Sequence, residues 1–213
     1  MPRALIFANG DSGSLPAVRA ILQPGDVVIA ADGGARQAQA LGLTPAIIIG
    51  DFDSLTESET QAFAEQGVEL QRHPPAKDET DLELALFYAL RAGYSPILIL
   101  GAFGGRLDQA LGNIALLSHP QALQADIRLE DGLTEAFFVR GRAVIHGAPG
   151  DTVSFIPWGV PVLGVRTDNL LYPLKDEALY PDHTRSISNQ MLAPSASVSF
   201  KSGLLLCIHI RKN

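Results

Sequence analysis

The chain has 213 residues, of which 46% are hydrophobic and 18% are charged, and its formal net charge is −7 at pH 7. This composition supplies ample material for a packed core and excludes a disordered chain. The acidic charge and the lack of any basic run exclude general nucleic-acid binding, which needs clustered cations for phosphate contacts. No apolar run approaches the roughly 20 residues of a membrane-spanning helix, so no membrane association is expected.

The N-terminal segment and the cysteine content favour a cytoplasmic protein. The apolar stretch at residues 4–8 is too short for a signal peptide and ends at Asn9-Gly10-Asp11, so we predict that it forms the first strand. Cys207 is the only cysteine of the sequence, which rules out an intrachain disulfide and suits a reducing compartment.

The first 131 residues alternate between short apolar runs and helical patterns. The runs predict strands at 4–8, 27–31, 46–49, 68–72, 97–100 and 126–130. The clearest helix is predicted over 78–91, with Asp78 capping its start and Gly93 ending it. Thr56 with Glu59 has the pattern of a capping box that opens another helix. Alternating strands and helices predict a parallel sheet covered on both faces, and thus an α/β, Rossmann-like domain at residues 1–131.

The pattern changes near Gly132. Short apolar runs at 136–139, 143–145, 152–156, 162–167, 197–200 and 204–210 are separated by Gly- and Pro-rich turns, with no helical period among them. This arrangement predicts a C-terminal β-sandwich domain at residues 135–213.

Glycines, carboxylates and a few cations follow the predicted strands of the first domain. Because ligands bind beyond the carboxyl ends of the strands in a doubly wound sheet, we expect five loops to meet at one edge. Those loops contain Asn9-Gly10-Asp11, Asp32-Gly33-Gly34, Gly50-Asp51-Phe52-Asp53-Ser54, Lys77-Asp78-Glu79-Thr80-Asp81 and Gly104-Gly105-Arg106-Leu107-Asp108.

A cluster of carboxylates predicts a bound cation, because the like charges otherwise repel each other. Mg²⁺ suits such oxygen ligands, and it is usually shared with substrate phosphates. Asp51 and Asp53 point the same way along an extended segment, and Asp78 and Asp81 are predicted to share a helix face. Glycines let backbone N–H groups approach phosphate.

Lys77 and Arg106 are the cations best placed to hold phosphate oxygens. Taken alone, the Asp-x-Asp segment and the glycine pairs are more often turns or caps, and Asp78 is as often a plain helix cap, so the prediction rests on their joint appearance at successive strand ends. The phosphate loop G-x-x-x-x-G-K-[ST] and the dinucleotide fingerprint G-x-G-x-x-G are both absent from the sequence.

Four of the loop segments occur in the order seen in thiamin pyrophosphokinases, which the chain resembles over nearly its whole length. They are Asp32-Gly33-Gly34, Gly50-Asp51-Phe52-Asp53-Ser54, Lys77-Asp78-Glu79-Thr80-Asp81 and Gly104-Gly105-Arg106-Leu107-Asp108. The resemblance extends to Asn169-Leu170-Leu171-Tyr172-Pro173-Leu174, Ser186-Ile187-Ser188-Asn189 and residues 199–206. It implies a nucleotide-binding α/β domain followed by a thiamin-binding β-sandwich, in a homodimer with the thiamin sites at the subunit interface. It also implies Mg²⁺ as the metal and ATP and thiamin as the substrates.

The resemblance assigns roles to residues that match the family's motifs. Asp51, Asp53 and Asp81 are expected to be metal ligands. Arg106, Asp108, Lys77 and Asp81 are expected around the transferred phosphates, and Ser188 and Asn189 against thiamin. The remaining nucleotide contacts are assigned to Asn9, Asp32, Gly33, Asp78, Gly104 and Gly105. The chain departs from the family at Gln109, where His is common, at Ser186, where Gly is usual, and at Gln190, where an acid is common.

The expected reaction is in-line attack of the thiamin hydroxyl on the β-phosphorus of ATP, with AMP leaving. Asp81 or Asp108 would accept the hydroxyl proton. Two alternatives stay open at this point: a pyrophosphokinase for another hydroxymethyl heterocycle such as a pterin, and a non-catalytic sensor of thiamin or nucleotide.

Overall fold

The computed structural model describes residues 2–10 and 13–212. The chain divides into two compact units, Met1–Gly132 and Leu133–Asn213. In the described part of the chain, no helix has the length and apolarity that a membrane crossing requires.

The first unit contains a parallel sheet with the strand order β4-β3-β2-β1-β5-β6. All six strands predicted for this part of the sequence are present, within one or two residues at their ends. Because the strand order reverses between β1 and β5, the loops that follow these two strands flank the switch point where ligands bind in such sheets. The strands are β1 Ala4–Phe7, β2 Val27–Ala31, β3 Ile47–Gly50, β4 Glu69–Arg72, β5 Ile97–Leu100 and β6 Ile127–Glu130.

A helix lies in each of the five connections between these six strands. The helix α3 begins with the predicted capping box, in which the Glu59 backbone N–H donates to Thr56 Oγ1 at 3.3 Å and the Thr56 N–H donates to Glu59 Oε2 at 2.8 Å. The helices are α1 Leu15–Ile21, α2 Gly34–Ala40, α3 Glu57–Glu65, α4 Asp81–Arg91 and α5 Leu107–Leu116, with a short 3₁₀ helix at Ala122–Gln124.

The start of α4 corrects the sequence prediction. The helix begins at Asp81, and Thr80 caps it by accepting the Glu83 backbone N–H at 3.1 Å on its hydroxyl. Asp78 therefore lies in the preceding loop, and the prediction that Asp78 and Asp81 share a helix face is wrong. Thr and Asp are both favourable N-cap residues, and here Thr80, directly before the first helical residue, is the one that caps the helix. The predicted end is confirmed, since Gly93 follows the last turn with a φ of 77°.

Gly34 allows α2 to pack against the end of β1. A Cβ atom built on Gly34 would lie 2.6 Å from the Phe7 carbonyl carbon and closer still to its oxygen. No real Cβ tolerates such an approach, and both partners are buried backbone that cannot swing away. Glycine at this position therefore sets how closely the helix approaches the strand.

The second unit contains two antiparallel groups of strands. One has the order β12-β9-β14-β7, and a separate four-stranded sheet has the order β11-β10-β13-β8. One hydrophobic cluster includes Phe137, Val153 and Cys207 from the first group and Val165 and Val198 from the second. The strands are β7 Thr134–Val139, β8 Arg142–His146, β9 Thr152–Pro157, β10 Val162–Asp168, β11 Lys175–Leu179, β12 Asn189–Gln190, β13 Ser195–Ser199 and β14 Leu205–Ile210.

Two strands of this unit, β11 and β12, are not predicted by the sequence pattern. β11 has the sequence KDEAL, whose polar residues have low strand propensity, and it lies at the edge of its sheet. β12 pairs with β9 and has only two residues, so it is too short to show a periodic pattern in the sequence. The mixed α/β class with a large sheet and a separate antiparallel sheet is confirmed.

A buried ionic network ties β14 to β7 and to the turn before β9. His209 is fully buried, and its ring nitrogens lie 2.9 Å from Glu135 Oε1 and 3.0 Å from Asp151 Oδ2. Burial opposes the charged imidazolium, but the hydrogen bonds to Glu135 and Asp151 outweigh it and raise the pKa of His209. Burial alone would raise the pKa of Asp151, but the backbone N–H groups of Lys212 and Ala148, with His209, lower it.

We expect this network to make stability depend on pH. The raised pKa of His209 gives a contribution that is full below about pH 6.5, the unfolded value, and is lost as the pH rises through the folded pKa. The lowered pKa of Asp151 gives a contribution that is present above its ordinary value and is lost in strong acid. Replacing His209 by Gln should cost about 3 kcal/mol near pH 6, and less in alkali.

The measurement is urea unfolding of the wild type and of His209→Gln from about pH 5 to about pH 9. His146→Gln, at an exposed position of β8, is the matched control and should follow the wild-type free energy of unfolding at every pH in this range. Parallel curves for the wild type and His209→Gln would contradict the charged network.

Candidate functional site

A cleft of about 530 Å³ opens in the first unit where the parallel strands end. Every one of the five loops predicted to meet at this edge contributes to its lining. The convergence expected from the sequence is therefore present. The polar and glycine residues that line the cleft include Asn9, Gly10, Asp32, Asp53, Ser54, Lys77, Glu79, Thr80, Asp81, Gly101, Gly104, Gly105, Arg106, Gln109 and Asn113.

Three carboxylates form a compact group at the cleft. Asp32, Asp51 and Asp53 each place an oxygen within 4.8 Å of the others. Asp81 lies close by, because a Cβ atom built on Gly50 would be 3.1 Å from Asp81 Cγ and 2.9 Å from Asp32 Cβ. Of the predicted metal ligands, Asp51 and Asp53 thus belong to the group, and Asp81 borders it.

Sheet register brings Asp32 into this group. The parallel pairing of β2 with β3 sets Ala31 opposite Ile49, and the Asp32 backbone N–H donates to the Ile49 carbonyl at 2.9 Å. From the sequence, Asp32 is expected to contact the nucleotide, and its place beside Asp51 is not predicted. The signal was the adjacency of two Asp-bearing strand ends, which becomes informative only once β2 and β3 are known to be neighbours.

The backbone is strained at both strand ends. Asp32 has a φ of 45° and Phe52 a φ of 62°, in the left-handed region that non-glycine residues seldom occupy. Such conformations persist where the surrounding structure holds them, and they are common at functional sites. Here they turn the chain sharply, so that carboxylates from two neighbouring strands face the same space. The prediction that Asp51 and Asp53 lie along an extended segment is therefore wrong, because the backbone turns at Phe52.

Hydrogen bonds from Ser54 and Asn9 fix the orientation of these carboxylates. The Ser54 N–H donates to Asp32 Oδ2 at 3.3 Å, and the Ser54 hydroxyl donates to Asp53 Oδ1 at 3.0 Å. Asn9 Nδ2 donates to the same hydroxyl at 3.0 Å, and the Asp53 N–H donates to Asp51 Oδ1 at 3.1 Å. Loops from three strands are therefore joined in one network.

The donor set suits a hard divalent cation such as Mg²⁺. Asp32 is only 3% exposed, and its Oδ1 atom meets no hydrogen-bond donor among the described residues. A buried carboxylate oxygen without a partner is costly unless a cation or another donor satisfies it. Clustered carboxylate oxygens are the ligands that Mg²⁺ prefers, so the residues present fit the ion that the sequence predicts.

Lys77 is paired with carboxylates on both sides. Its ammonium lies 3.0 Å from Asp81 Oδ1 and 3.7 Å from Asp51 Oδ2, and its side chain is 11% exposed. Burial alone would lower the pKa of Lys77, but the hydrogen bond and charge of Asp81, with those of Asp51, raise it. Burial is the larger influence on Asp81 and raises the pKa of that carboxyl despite the nearby ammonium.

Arg106 and Asp108 lie at the rim and pair with each other. Arg106 Nη2 is 2.5 Å from Asp108 Oδ2, and both side chains are mostly exposed to solvent. The hydrogen bond from Arg106 lowers the pKa of Asp108, and the same bond raises the pKa of Arg106. Arg106 lines the cleft, whereas Asp108 lies outside its lining and borders a neighbouring groove.

The glycine positions and Asp78 occupy different surroundings. Gly104 and Gly105 line the cleft, and Gly105 has a φ of 88°. Gly33 packs against Asn9, because a Cβ atom there would lie 2.8 Å from Asn9 Nδ2. Asp78 is exposed in the loop before α4 and is not part of the cleft lining.

In the second unit, the Asn189 side chain is hydrogen-bonded to the backbone of Tyr172. Its Oδ1 accepts the Tyr172 N–H at 3.0 Å and the Gln190 N–H at 2.9 Å, and its Nδ2 donates to the Tyr172 carbonyl at 2.7 Å. The side chain is therefore used to hold the Tyr172 segment, and Tyr172 itself is 59% exposed.

Ser186 and Ser188 both adopt left-handed backbone conformations, with φ values of 79° and 56°. This explains why glycine suits the position of Ser186, and the Ser186 hydroxyl compensates by donating to the Phe155 carbonyl at 2.8 Å. The Ser188 N–H donates to Ser154 Oγ at 2.9 Å.

These features define an α/β protein with an acidic, glycine-lined cleft at the carboxyl ends of its parallel strands. The model of the thiamin pyrophosphokinase catalytic domain matches residues 18–129, and that of the thiamin pyrophosphokinase vitamin B1 binding domain matches residues 143–205. The chain belongs to the thiamin pyrophosphokinase family.

Individual relatives agree with the family models. The thiamine pyrophosphokinase of Bacillus subtilis is 31% identical over 205 residues, which cover 95% of this chain and 96% of the relative. The crystal structure of thiamine pyrophosphokinase from Bacillus subtilis matches with a TM-score of 0.89 and 29% identity over 99% of this chain and all of the other. A thiamin pyrophosphokinase family protein from Enterococcus faecalis matches with a TM-score of 0.85 and 27% identity, over 99% of this chain and all of the other.

Proposed function

We propose that this chain transfers a diphosphate group from Mg·ATP to the hydroxyl of thiamin, giving thiamin diphosphate and AMP. The observation that carries the proposal is the cleft of the first unit, where clustered carboxylates, glycines and two cations meet in a chain of this family. A cleft with these groups can hold a metal–triphosphate ligand and leave one face open to a second substrate.

Asp51 and Asp53, with Asp81 beside them, are the proposed ligands of Mg²⁺. Asp32 supports the same assignment, because it belongs to one group with Asp51 and Asp53, and its Oδ1 atom meets no hydrogen-bond donor in the described part of the chain. When bound, the metal would neutralise the phosphate oxygens and polarise the phosphorus that is attacked.

The other residues of the cleft would position the nucleotide. Arg106 and Lys77 are the cations that would hold phosphate oxygens, and the backbone N–H groups near Gly104 and Gly105 would approach the phosphate chain. Asn9, Asp32, Gly33 and Asp78 complete the proposed nucleotide contacts.

Transfer then depends mainly on alignment of the thiamin hydroxyl with the β-phosphorus and the leaving AMP. A carboxylate of this chain accepts the hydroxyl proton, and Asp81 and Asp108 are the two candidates. Asp81 lines the cleft, and Asp108 stands at the rim in its ion pair with Arg106.

We assign nucleotide binding to residues 1–131, as a Rossmann-like domain, and thiamin binding to residues 135–213, as a β-sandwich. One hydrophobic cluster contains residues from both antiparallel groups of strands, which supports the sandwich. Ser188 and Asn189 are the proposed thiamin-site residues, with Asn189 acting through the Tyr172 segment that it holds.

A homodimer with thiamin at the subunit interface, in the cytoplasm, completes the proposal. Exposed apolar side chains near Ser188 and Asn189 support an interface there. They are Leu171, Tyr172, Ile187 and Leu192. The ATP substrate and the lack of disulfide-forming cysteine pairs support the cytoplasm.

The proposal predicts that purified protein with ATP, Mg²⁺ and thiamin forms AMP and thiamin diphosphate in equal amounts. Asp81→Asn should abolish most of this activity, since it removes a carboxylate that borders the metal group. Chromatographic quantification of both products is the measurement. Product from a hydroxymethyl pterin but not from thiamin would favour the other pyrophosphokinase, and tight thiamin or ATP binding without product would favour the sensor.

A further inference from the structure

The ammonium group of Lys77 lies among the carboxylates of the cleft. Lys77 lies 3.0 Å from Asp81 and 3.7 Å from Asp51, which are two of the three proposed metal ligands. Its side chain is 11% exposed and that of Asp51 is 12% exposed, so solvent screens this contact weakly.

Charge balance explains why the ammonium lies there. Asp32, Asp51, Asp53 and Asp81 surround a small space, and like charges so close repel each other strongly unless a cation separates them. The ammonium of Lys77 is the cation that contacts two of them, and it does so from the loop between β4 and α4.

The loop allows Lys77 to leave these carboxylates. The residue precedes α4 and belongs neither to that helix nor to a strand, and its backbone N–H donates to the nearby Pro75 carbonyl at 3.1 Å. A lysine carries its charge on a flexible four-carbon stem, so the ammonium can move several ångströms without rearrangement of the fold.

We propose that Lys77 is the internal counter-ion of the metal-free cleft: it holds Asp51 and Asp81 in place and gives them up when a divalent cation arrives. This inference rests on the proposed function for the identity of the metal ligands. In this arrangement, Lys77 competes with the metal in the protein without nucleotide. Once displaced, its ammonium is available to phosphate oxygens at the same end of the cleft.

The test measures divalent-metal binding without nucleotide, using Mn²⁺ and isothermal titration calorimetry. Lys77→Met removes only the charge, and it should tighten Mn²⁺ binding about tenfold, because a cation a few ångströms from the metal no longer opposes it. Lys77→Arg retains the charge and should bind Mn²⁺ as weakly as the wild type. Lys175→Met, which removes an exposed ammonium from β11 in the second unit, is the matched control and should change nothing.

Thermal unfolding with and without Mn²⁺ gives an independent readout. In chelator, Lys77→Met should unfold several degrees below the wild type, since Asp51 and Asp81 lose their counter-ion, and Mn²⁺ should restore more stability to it than to the wild type. Unchanged or weaker Mn²⁺ binding by folded Lys77→Met would overturn the inference.

The two proposals fail separately. A wild-type protein that forms no thiamin diphosphate, with Mn²⁺ binding tightened in Lys77→Met, would overturn the proposed function and support the counter-ion role of Lys77. An active wild type with Mn²⁺ affinity unaffected by Lys77→Met would leave the function and overturn the counter-ion.

Discussion

Replacing Asp51 by Asn should lower kcat/KM for thiamin diphosphate formation about 10³-fold at fixed Mg²⁺, which corresponds to about 4 kcal/mol of lost transition-state stabilisation. Asp51 belongs to the carboxylate group with Asp32 and Asp53, and it also contacts Lys77. Its loss would remove one of the proposed metal ligands, and with it negative charge that would hold the cation against the phosphates. The protein should still fold, because the substitution keeps the size of the side chain and relieves repulsion.

Initial rates of AMP release, together with thermal unfolding, measure this effect. Asp126→Asn is the matched control, since Asp126 is a half-exposed carboxylate of the same unit that pairs only at the surface with Arg128. It should retain activity within twofold. Activity of Asp51→Asn within tenfold of the wild type would argue against a metal-ligand role for this carboxylate.

Gly34→Ala should destabilise the first unit by about 4 kcal/mol or more, or prevent folding altogether. The added methyl group would lie 2.6 Å from the Phe7 carbonyl carbon, and Phe7 is a fully buried strand residue in the middle of the sheet. The helix or the strand must therefore shift, and both belong to the framework that carries Asp32 and Asn9. A loss of this size is a large fraction of the total stability of an ordinary domain.

Gly112→Ala, the same type of substitution at another position, should change stability in the opposite direction. Gly112 is exposed within α5, and a Cβ atom there meets nothing within 4 Å. Alanine in a helix is favoured over glycine by about 0.5–1 kcal/mol, so this variant should be slightly more stable than the wild type. Urea unfolding of both variants checks the pair, and a Gly34→Ala protein as stable as Gly112→Ala would refute the close-packing argument.

The parallel sheet of the first unit was predictable because its strands are strongly marked in the sequence. Strand β3 has the sequence IIIG and strand β5 the sequence ILIL, followed by Gly101. Both are continuous apolar stretches that end at a glycine, as expected for strands buried on both faces. Element ends were less predictable. Asp78 and Thr80 are both competent caps, and only the hydrogen bond from Glu83 to Thr80 decides where α4 begins.

The candidate site was predictable in its location and less so in its internal arrangement. The order of strands and helices along the chain predicts that the five loops meet, because the carboxyl ends of parallel strands share one edge of the sheet. The placement of Asp32 next to Asp51 depends on the pairing of β2 with β3. The contact of Lys77 with Asp81 depends on where α4 begins, and neither pairing nor helix start is encoded by spacing alone.

The second unit illustrates a different limit. The motif Ser188-Asn189 was recognised from family resemblance, yet the amide of Asn189 holds the backbone of Tyr172. A side chain that bonds to backbone 17 residues away has no local signature in the sequence. The left-handed φ of Ser186, by contrast, accounts for the usual glycine at that position.

The most direct test of the central claim follows the β-phosphorus of ATP during one turnover. With ATP radiolabelled at the β-phosphorus, Mg²⁺, thiamin and excess enzyme, we expect all transferred label in thiamin diphosphate and none in the AMP released. Label recovered in ADP, with a single phosphate on thiamin, would contradict diphosphate transfer and show a different phosphoryl chemistry in this cleft.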